Sequence, residues 1–342
     1  MQEITQTTPL FDENGKVQQF GWARHPIIQA NLENARLLRP RLLQPLRFKR
    51  WDYYGIFTPT HFFAFTLADI GYLGQVFAYI VDLTSGKVLE RTLNLPLAKG
   101  VKLPRPSDAG IAYYRSNSVM MEFDRSQFER RLHVEWQDFG GMPLTADLCL
   151  SHTPHQESMV NVFPMGKDRF FYTRKMHALA VSGAVQLGEQ CFTLDPATCF
   201  GTQDWGCGLW SYRSFWIWGG AATRLKDGRS AALNLGGGIS TDPMNNDNAL
   251  ILDGILHKLG ELNFIYNNHH FMKPWQMHDR EGRCNLTFTP AIERVAKTDL
   301  VVLASEVHQM FGRYDGVVIT DRGERVDFRD VNGFAEEHHA KW

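Results

Sequence analysis

What most limits the fold of this chain is its rhythm. From Leu46 onward, runs rich in Val, Ile, Phe, Tyr and Thr follow one another at close spacing, separated by turn residues. The runs LRFKRWDYYGIFT (46–58), HFFAFTLADI (61–70), GQVFAYIVDL (74–83) and VLERTLNL (88–95) read as a meander, with Thr84-Ser85-Gly86-Lys87 as a hairpin loop. Parallel strands need crossover segments of a dozen residues or more, usually helical, and no series of such helices is present, so the strands pair antiparallel. One early segment, Pro26 to Leu38, reads as a short helix, with apolar residues at Ile27, Ala30, Leu37 and Leu38 and a stop at Pro40.

The same pattern continues through IAYYRSNSVMMEF (111–123), RRLHVEWQDF (130–139) and LTADLCLSH (144–152). The stretch 151–170 is polar and proline-bearing and reads as a waist, after which the strand rhythm restarts at RFFYTRKMHALAVSGAVQLG (169–188) and runs to RVDFRDVNGFAEEHH (325–339). Asp227-Gly228, Asp253-Gly254, Glu281-Gly282 and Asp315-Gly316 sit between strand-like runs as turn pairs. The expectation is an all-β protein of two consecutive antiparallel barrel or sheet units, 1–165 and 166–342, with a short N-terminal helix. A length of 342 residues also exceeds what one hydrophobic core usually serves.

Composition narrows the partners. Lys plus Arg is 36 against 37 for Asp plus Glu, a formal charge of -1, which carries no electrostatic footprint for nucleic acid or an anionic membrane. No apolar run is long enough to span a bilayer as a helix, and the first residues lack the order of a signal peptide, so a cytoplasmic location is expected. The five cysteines, Cys149, Cys191, Cys199, Cys207 and Cys284, lack CxxC spacing and read as free thiols. Nine Trp and 23 Phe either pack sheet faces or line an apolar cavity, and the expected partner is an apolar small molecule, with no cofactor. Oligomeric state is left open.

Several clusters carry chemistry. Thr202 to Trp218 holds Asp204 and Arg213 among Trp205, Trp210, Phe215, Trp216 and Trp218. A carboxyl group against aromatic walls favours its neutral form and serves as a general acid; alternatively Asp204 caps a turn or pairs with Arg213. In SEVHQMFGRYDG, period two puts Glu306, His308 and Met310 on one strand face, an acid/base pair beside an apolar wall, and Val307 and Gln309 on the other. Glu336, Glu337, His338 and His339 resemble metal ligands, but neighbours on an extended strand point to opposite faces, so no metal is expected. His155 and Glu157 share a face and are candidate ligand contacts in a loop. The glycines 236–238 lack the lysine and helix of a phosphate loop and read as a bend.

The stretches FGWARHP (20–26), LADIGYLG (67–74), HQES (155–158), FFYTRK (170–175), DWGCGLWSYR (204–213), LNLGGG (233–238), KPWQM (273–277), LTFTP (286–290), SEVHQMFGRYDG (305–316) and GFAEEH (333–338) closely resemble a bacterial and fungal family known as domain of unknown function 2804. At fold level that family is similar to the double-lipocalin group of carotenoid 1,2-hydratases. The resemblance implies a cofactor-independent hydratase, isomerase or cyclase acting on an isoprenoid- or polyketide-like molecule, in which an aspartate among aromatics protonates an alkene. In this reading Asp204, by its chemistry and not by an aligned motif, donates the proton, Glu306 and His308 manage water or a second proton as further catalytic residues, and Trp205, Arg213, Trp216, Asn248, His155, Glu157 and Lys175 are ligand contacts. The chain departs from the family pattern in having Cys207 in place of an arginine and TDPMNNDNAL, with Asp247 and Asn248, in place of a TDGTG-like loop. If that arginine clamps an anion or tunes Asp204, the cysteine removes its charge. The alternatives are a non-catalytic carrier or sensor of a lipid-like ligand, and a partner-binding β protein whose aromatics are all core.

Overall fold

The computed structural model describes all residues except 39, 241, 243 and 300–302, and of Arg41 only the backbone. Thr241 and Pro243 of the TDPMNNDNAL loop, and the first three residues of the strand expected from Leu300, therefore lie outside the described residues.

Two antiparallel sheets, each curled into a half-barrel, make up the molecule, as the strand rhythm leads one to expect. The first has Phe48–Phe57, Phe200–Leu209 and Phe170–Leu187 side by side at its centre. One meander, His61–Asp69, Leu73–Asp82 and Val88–Pro96, extends it on one side. On the other side Leu144–Ser151, Glu129–Trp136, Val119–Arg125 and Gly110–Arg115 run back to its far edge. The second sheet is built around three long strands, Cys284–Asp299, Ala304–Ile319 and Arg325–Lys341, with Arg213–Arg224 and Ser230–Gly237 beyond them.

Each sheet wraps a core of its own. Tyr54, Phe65, Phe123 and Leu132 are buried in the first, and Trp275, Phe288, Met310 and Tyr314 in the second. The outward faces then pack on each other through Phe57, Phe62, Tyr79, Trp218, Phe311 and Phe334. Strand alternation thus assigns odd and even residues of one strand to different compartments.

Phe200–Leu209 is buried along its whole length because both of its faces are covered. Its glycines keep room for neighbours: a Cβ on Gly206 would lie 2.6 Å from the Trp51 ring. Asp253-Gly254 forms a two-residue hairpin with both residues at positive φ, 48° and 82°.

Three expectations need correction. Pro26–Leu38 is not a helix: Ile28–Gln29 pairs in parallel with Thr8–Pro9, and only Leu32–Asn34 makes a 3-10 turn. Its burial has period two, with Ile28 and Ala30 buried and Gln29 exposed between them, and the Asn31 side chain bonds both backbone groups of Phe11 at 2.9 Å, which holds the segment extended. The change of sheet falls between Leu209 and Arg213, not at 165/166. Residues 152–158 merely join two strands of the first sheet, while Phe170–Leu187 and Phe200–Leu209 form its centre. Asp315-Gly316 is a bulge inside one continuous strand, where Gly316 takes φ 137°. Among the described residues no helix is long and apolar enough to cross a membrane.

Candidate functional site

A cavity of about 600 Å³ opens between the outward faces of the two sheets. From the first sheet come Trp51, Tyr53, Tyr79, Lys175, Asp204 and Trp210, and from the second Trp216, Trp218, Arg294, Gln309, Glu336 and His338. All but Trp210, which follows the end of Phe200–Leu209, project from a strand held by ladder bonds on both sides or tied into a long hairpin, so the site rests on sheet register.

Glu336 is the centre of one polar group. Its Oε1 accepts from Trp216 Nε1 at 3.2 Å and its Oε2 from Gln309 Nε2 at 2.9 Å. The residue is 7% exposed. Desolvation by burial pushes its pKa up from 4.5 to about 7, against the opposing pull of the Trp216 hydrogen bond and the charges of Lys175 and Arg294. A carboxyl group in that range is a proton donor near neutral pH. Beyond Gln309 the chain of contacts continues: Tyr79 donates its hydroxyl proton to Gln309 Oε1 at 2.9 Å and meets Tyr53 Oη at 2.9 Å. The Arg294 guanidinium lies 3.9 Å from the Tyr79 ring centre and is held by Glu90 at 2.8 Å.

A second group surrounds Lys175. Its ammonium donates to Asp204 Oδ2 at 2.7 Å and sits 3.9 Å from the Trp218 ring centre. Thr173 Oγ1 donates to Asp204 Oδ1 at 3.3 Å. Asp247, fully buried and with Oδ2 unpartnered, also borders the cavity, and burial raises its pKa. Its place depends on Gly236, where a Cβ would lie 2.2 Å from Asp247 Oδ1. His338 meets the Trp216 ring at a tilt of 38° with ring centres 3.9 Å apart, and burial pushes its pKa down to about 3, so it is neutral.

A sequence model of the family described as a domain of unknown function, DUF2804, matches residues 1–342. The chain belongs to the DUF2804 family. No curated protein matches it. Among solved structures it is similar to a putative AttH from Nitrosomonas europaea, at 14% identity and a TM-score of 0.51 over 85% of this chain and 92% of that one. It is also similar to CghA, at 8% identity and a TM-score of 0.53 over 86% and 88%. Kievitone hydratase from Nectria haematococca aligns at 10% identity and a TM-score of 0.48 over 85% and 88%, a likeness too slight to support an argument. The first two show a shared fold of two curled antiparallel sheets.

In this DUF2804 chain the cavity brings together Asp204, Lys175 and Trp216 from the residues singled out by sequence. The others lie elsewhere. Glu306 and His308 share a face with Met310, as expected, but that face turns to the core of the second sheet. Glu306 pairs with Lys297 at 2.9 Å, and His308 bonds Glu293 at 2.7 Å and stacks on Phe271. It is the opposite set, Ser305, Val307 and Gln309, that borders the cavity. Trp205 packs edge-on against Tyr172 on the inner side of the first sheet, and Arg213 is exposed and does not pair with Asp204. Asn248 is buried and committed to Gly236 N and Gly260 O. His155 is exposed, and Glu157 links Arg24 to the backbone N–H of Leu256, joining the first sheet's edge to the second.

Cys207 also points away from Asp204, into the packing of the N-terminal segment, where burial pushes its thiol up to about 12. A side chain at that position reaches Asp204 only through the sheet. Glu336 was visible in sequence as part of a poor metal set; strand parity does separate Glu336 and His338 from Glu337 and His339, whose carboxylate and ring meet each other on the far face. Trp210 and Trp218 belong to the aromatic cluster read around Asp204, whereas Gln309, Arg294 and Tyr79 carried no sequence signal beyond their position on alternating strands.

Proposed function

We propose that the cavity takes an apolar, unsaturated small molecule of isoprenoid or polyketide type and that Glu336 protonates it, giving hydration, isomerisation or cyclisation by side-chain acid–base chemistry alone. The observation that carries this reading is the buried Glu336 carboxyl group, with a pKa near 7, facing a cavity walled by tryptophan and tyrosine. Two N–H donors engage one lone pair on each Glu336 oxygen, which leaves the remaining positions for its proton and for the substrate. A cation formed by protonation would lie among the faces of Trp51, Trp216 and Trp218, which stabilise positive charge.

The proton-donor role expected for Asp204 passes to Glu336 in this reading, because Asp204 is engaged as the acceptor of Lys175. Asp204 and Lys175 instead fix the charge pattern opposite Glu336. The position of Glu306 and His308 outside the cavity favours the carrier reading to that extent.

Incubation with a panel of unsaturated terpenoids and polyketide-like phenols in D2O, read by mass spectrometry, tests both. Carbon-bound deuterium should appear for at least one compound, and Glu336→Gln should lower the rate by roughly 10²-fold or more while tryptophan fluorescence still reports binding. Binding without deuterium uptake in the wild type would establish a carrier and remove the catalytic proposal.

A further inference from the structure

Directly behind Lys175 and Asp204, on the other side of the same strands, the first half-barrel buries three arginines. Arg125, Arg130 and Arg174 are 2%, 0% and 4% exposed. Arg130 donates from Nε to Gln203 Oε1 at 3.1 Å and from Nη1 to two backbone carbonyls, while its Nη2 has only the Met176 thioether, at 3.3 Å. Arg174 reaches Ser158 Oγ at 3.0 Å and Ser107 O at 3.4 Å. Arg125 has a long contact to Gly110 O at 3.5 Å from Nε, and both Nη1 and Nη2 are buried without a hydrogen-bond partner. The Tyr54 hydroxyl, within electrostatic reach of all three guanidiniums, is likewise buried and unpartnered.

The acidic groups do not balance this charge. Asp52 forms a fully buried ion pair with Arg125, its Oδ2 3.5 Å from Nη1 and so beyond hydrogen-bonding distance and without a hydrogen-bond partner, while its Oδ1 is taken by Gln203 Nε2 at 2.9 Å. Half-buried Asp108 is the other carboxylate acting on Arg130 and Arg174. Three guanidiniums against two carboxylates leave one positive charge in a desolvated place, where both Nη atoms of Arg125 lack a hydrogen-bond partner. Burying an ion and leaving its donors unpaired costs several kcal/mol, so a native structure supplies a partner.

We infer that the first half-barrel holds a small monoanion, of the halide, nitrate or carboxylate class, bound by the Nη donors of Arg125 together with Arg130 and the Tyr54 hydroxyl. Planar, forked guanidinium donors suit such a guest, and the site is separate from the cavity between the sheets. It is independent of the proposed catalysis and stands or falls without it.

Diffraction data from wild-type crystals grown in sodium bromide, collected at the bromine edge, test the site directly. An anomalous peak within hydrogen-bonding reach of Arg125 and Tyr54 is expected; ordered waters alone at Arg125, with no peak, would overturn the inference. In solution, thermal melts of wild type and Arg125→Gln in bromide and in gluconate at equal ionic strength remove general salt effects by difference. Bromide should raise the wild-type Tm, relative to the variant, saturably and by about 2 °C or more, whereas gluconate, too large for a buried site, should not. Equal responses of the two proteins to bromide would refute it independently of the crystals.

Discussion

The raised pKa of Glu336 has a consequence for stability that can be measured without knowing the substrate. Moving this carboxyl from 4.5 to about 7 on folding corresponds to about 3 kcal/mol of extra free energy on its charged form. Because the folded value lies above the unfolded one, the native state binds the additional proton. That contribution is fully present below about pH 4.5 and is lost as pH rises through about 7. Glu336→Gln removes the titration and keeps the shape, so the stability of the variant relative to wild type should climb by about 3 kcal/mol between pH 4.5 and 8 and then level off. Glutamine offers one acceptor where the carboxylate offers two, so either Trp216 Nε1 or Gln309 Nε2 loses a partner, at a cost of about 1 kcal/mol that does not depend on pH. The slope of the difference is therefore the readout and its absolute value is not. Urea denaturation of both proteins at pH 5, 6, 7 and 8 would provide it, with the titrating groups that do not act on Glu336 cancelling between the two. A difference that stays flat across this range would refute the desolvated carboxyl, and with it the acid proposed for catalysis.

Lys175→Met should destabilise the protein by about 3–5 kcal/mol in denaturant titration by leaving Asp204 buried without its ammonium, and the double variant Lys175→Met/Asp204→Asn should recover part of the loss. Gly183→Ala would place a Cβ 2.0 Å from the Asp147 carbonyl oxygen at φ 117°, and should cost more than about 2 kcal/mol by the same measurement because both the contact and the backbone angle oppose it. Glu306→Gln and His308→Asn, which alter the face turned away from the cavity, should leave ligand-induced tryptophan quenching unchanged within about twofold, whereas Trp216→Phe, which removes the Glu336 donor, should change it.

Most strands could be read from the sequence because hydrophobic alternation and Gly-containing turns are local signals. Thr84 to Lys87 and Asp253-Gly254 close hairpins as their residues require. The strand Phe200–Leu209 was hidden for the opposite reason: with both faces covered it does not alternate, and its tryptophan-rich end looks like a site. The segment around Ile28 misled because apolar spacing of three and four occurs by chance over so few residues, while the real constraint, Asn31 on the Phe11 backbone, lies across a gap in sequence. For Ala304–Ile319, parity correctly separated Glu306 and His308 from Val307 and Gln309, yet nothing local says which set meets the cavity. That choice is made by Met310, which must enter the core of the second sheet and so turns its own face away from the first.

The same logic explains why two unlike polar groups stand back to back on one sheet. Arg174 and Lys175, Gln203 and Asp204, and Tyr54 and Tyr53 are neighbours in sequence, and in each pair the first faces the half-barrel interior while the second faces the cavity. A slip of one residue in any of the three central strands would turn its interior set to the cavity, and in Phe170–Leu187 it would put Arg174 where Lys175 meets Asp204. The paired ladders between Phe48–Phe57, Phe200–Leu209 and Phe170–Leu187 run without a shift through these residues; the one irregularity comes later, between Met176 and Leu179. The candidate site therefore inherits its rigidity from the most completely paired part of the fold. A ligand entering the cavity meets side chains already in place, so its binding should depend little on ordering of loops and strongly on the complementarity of its shape and charge to those side chains.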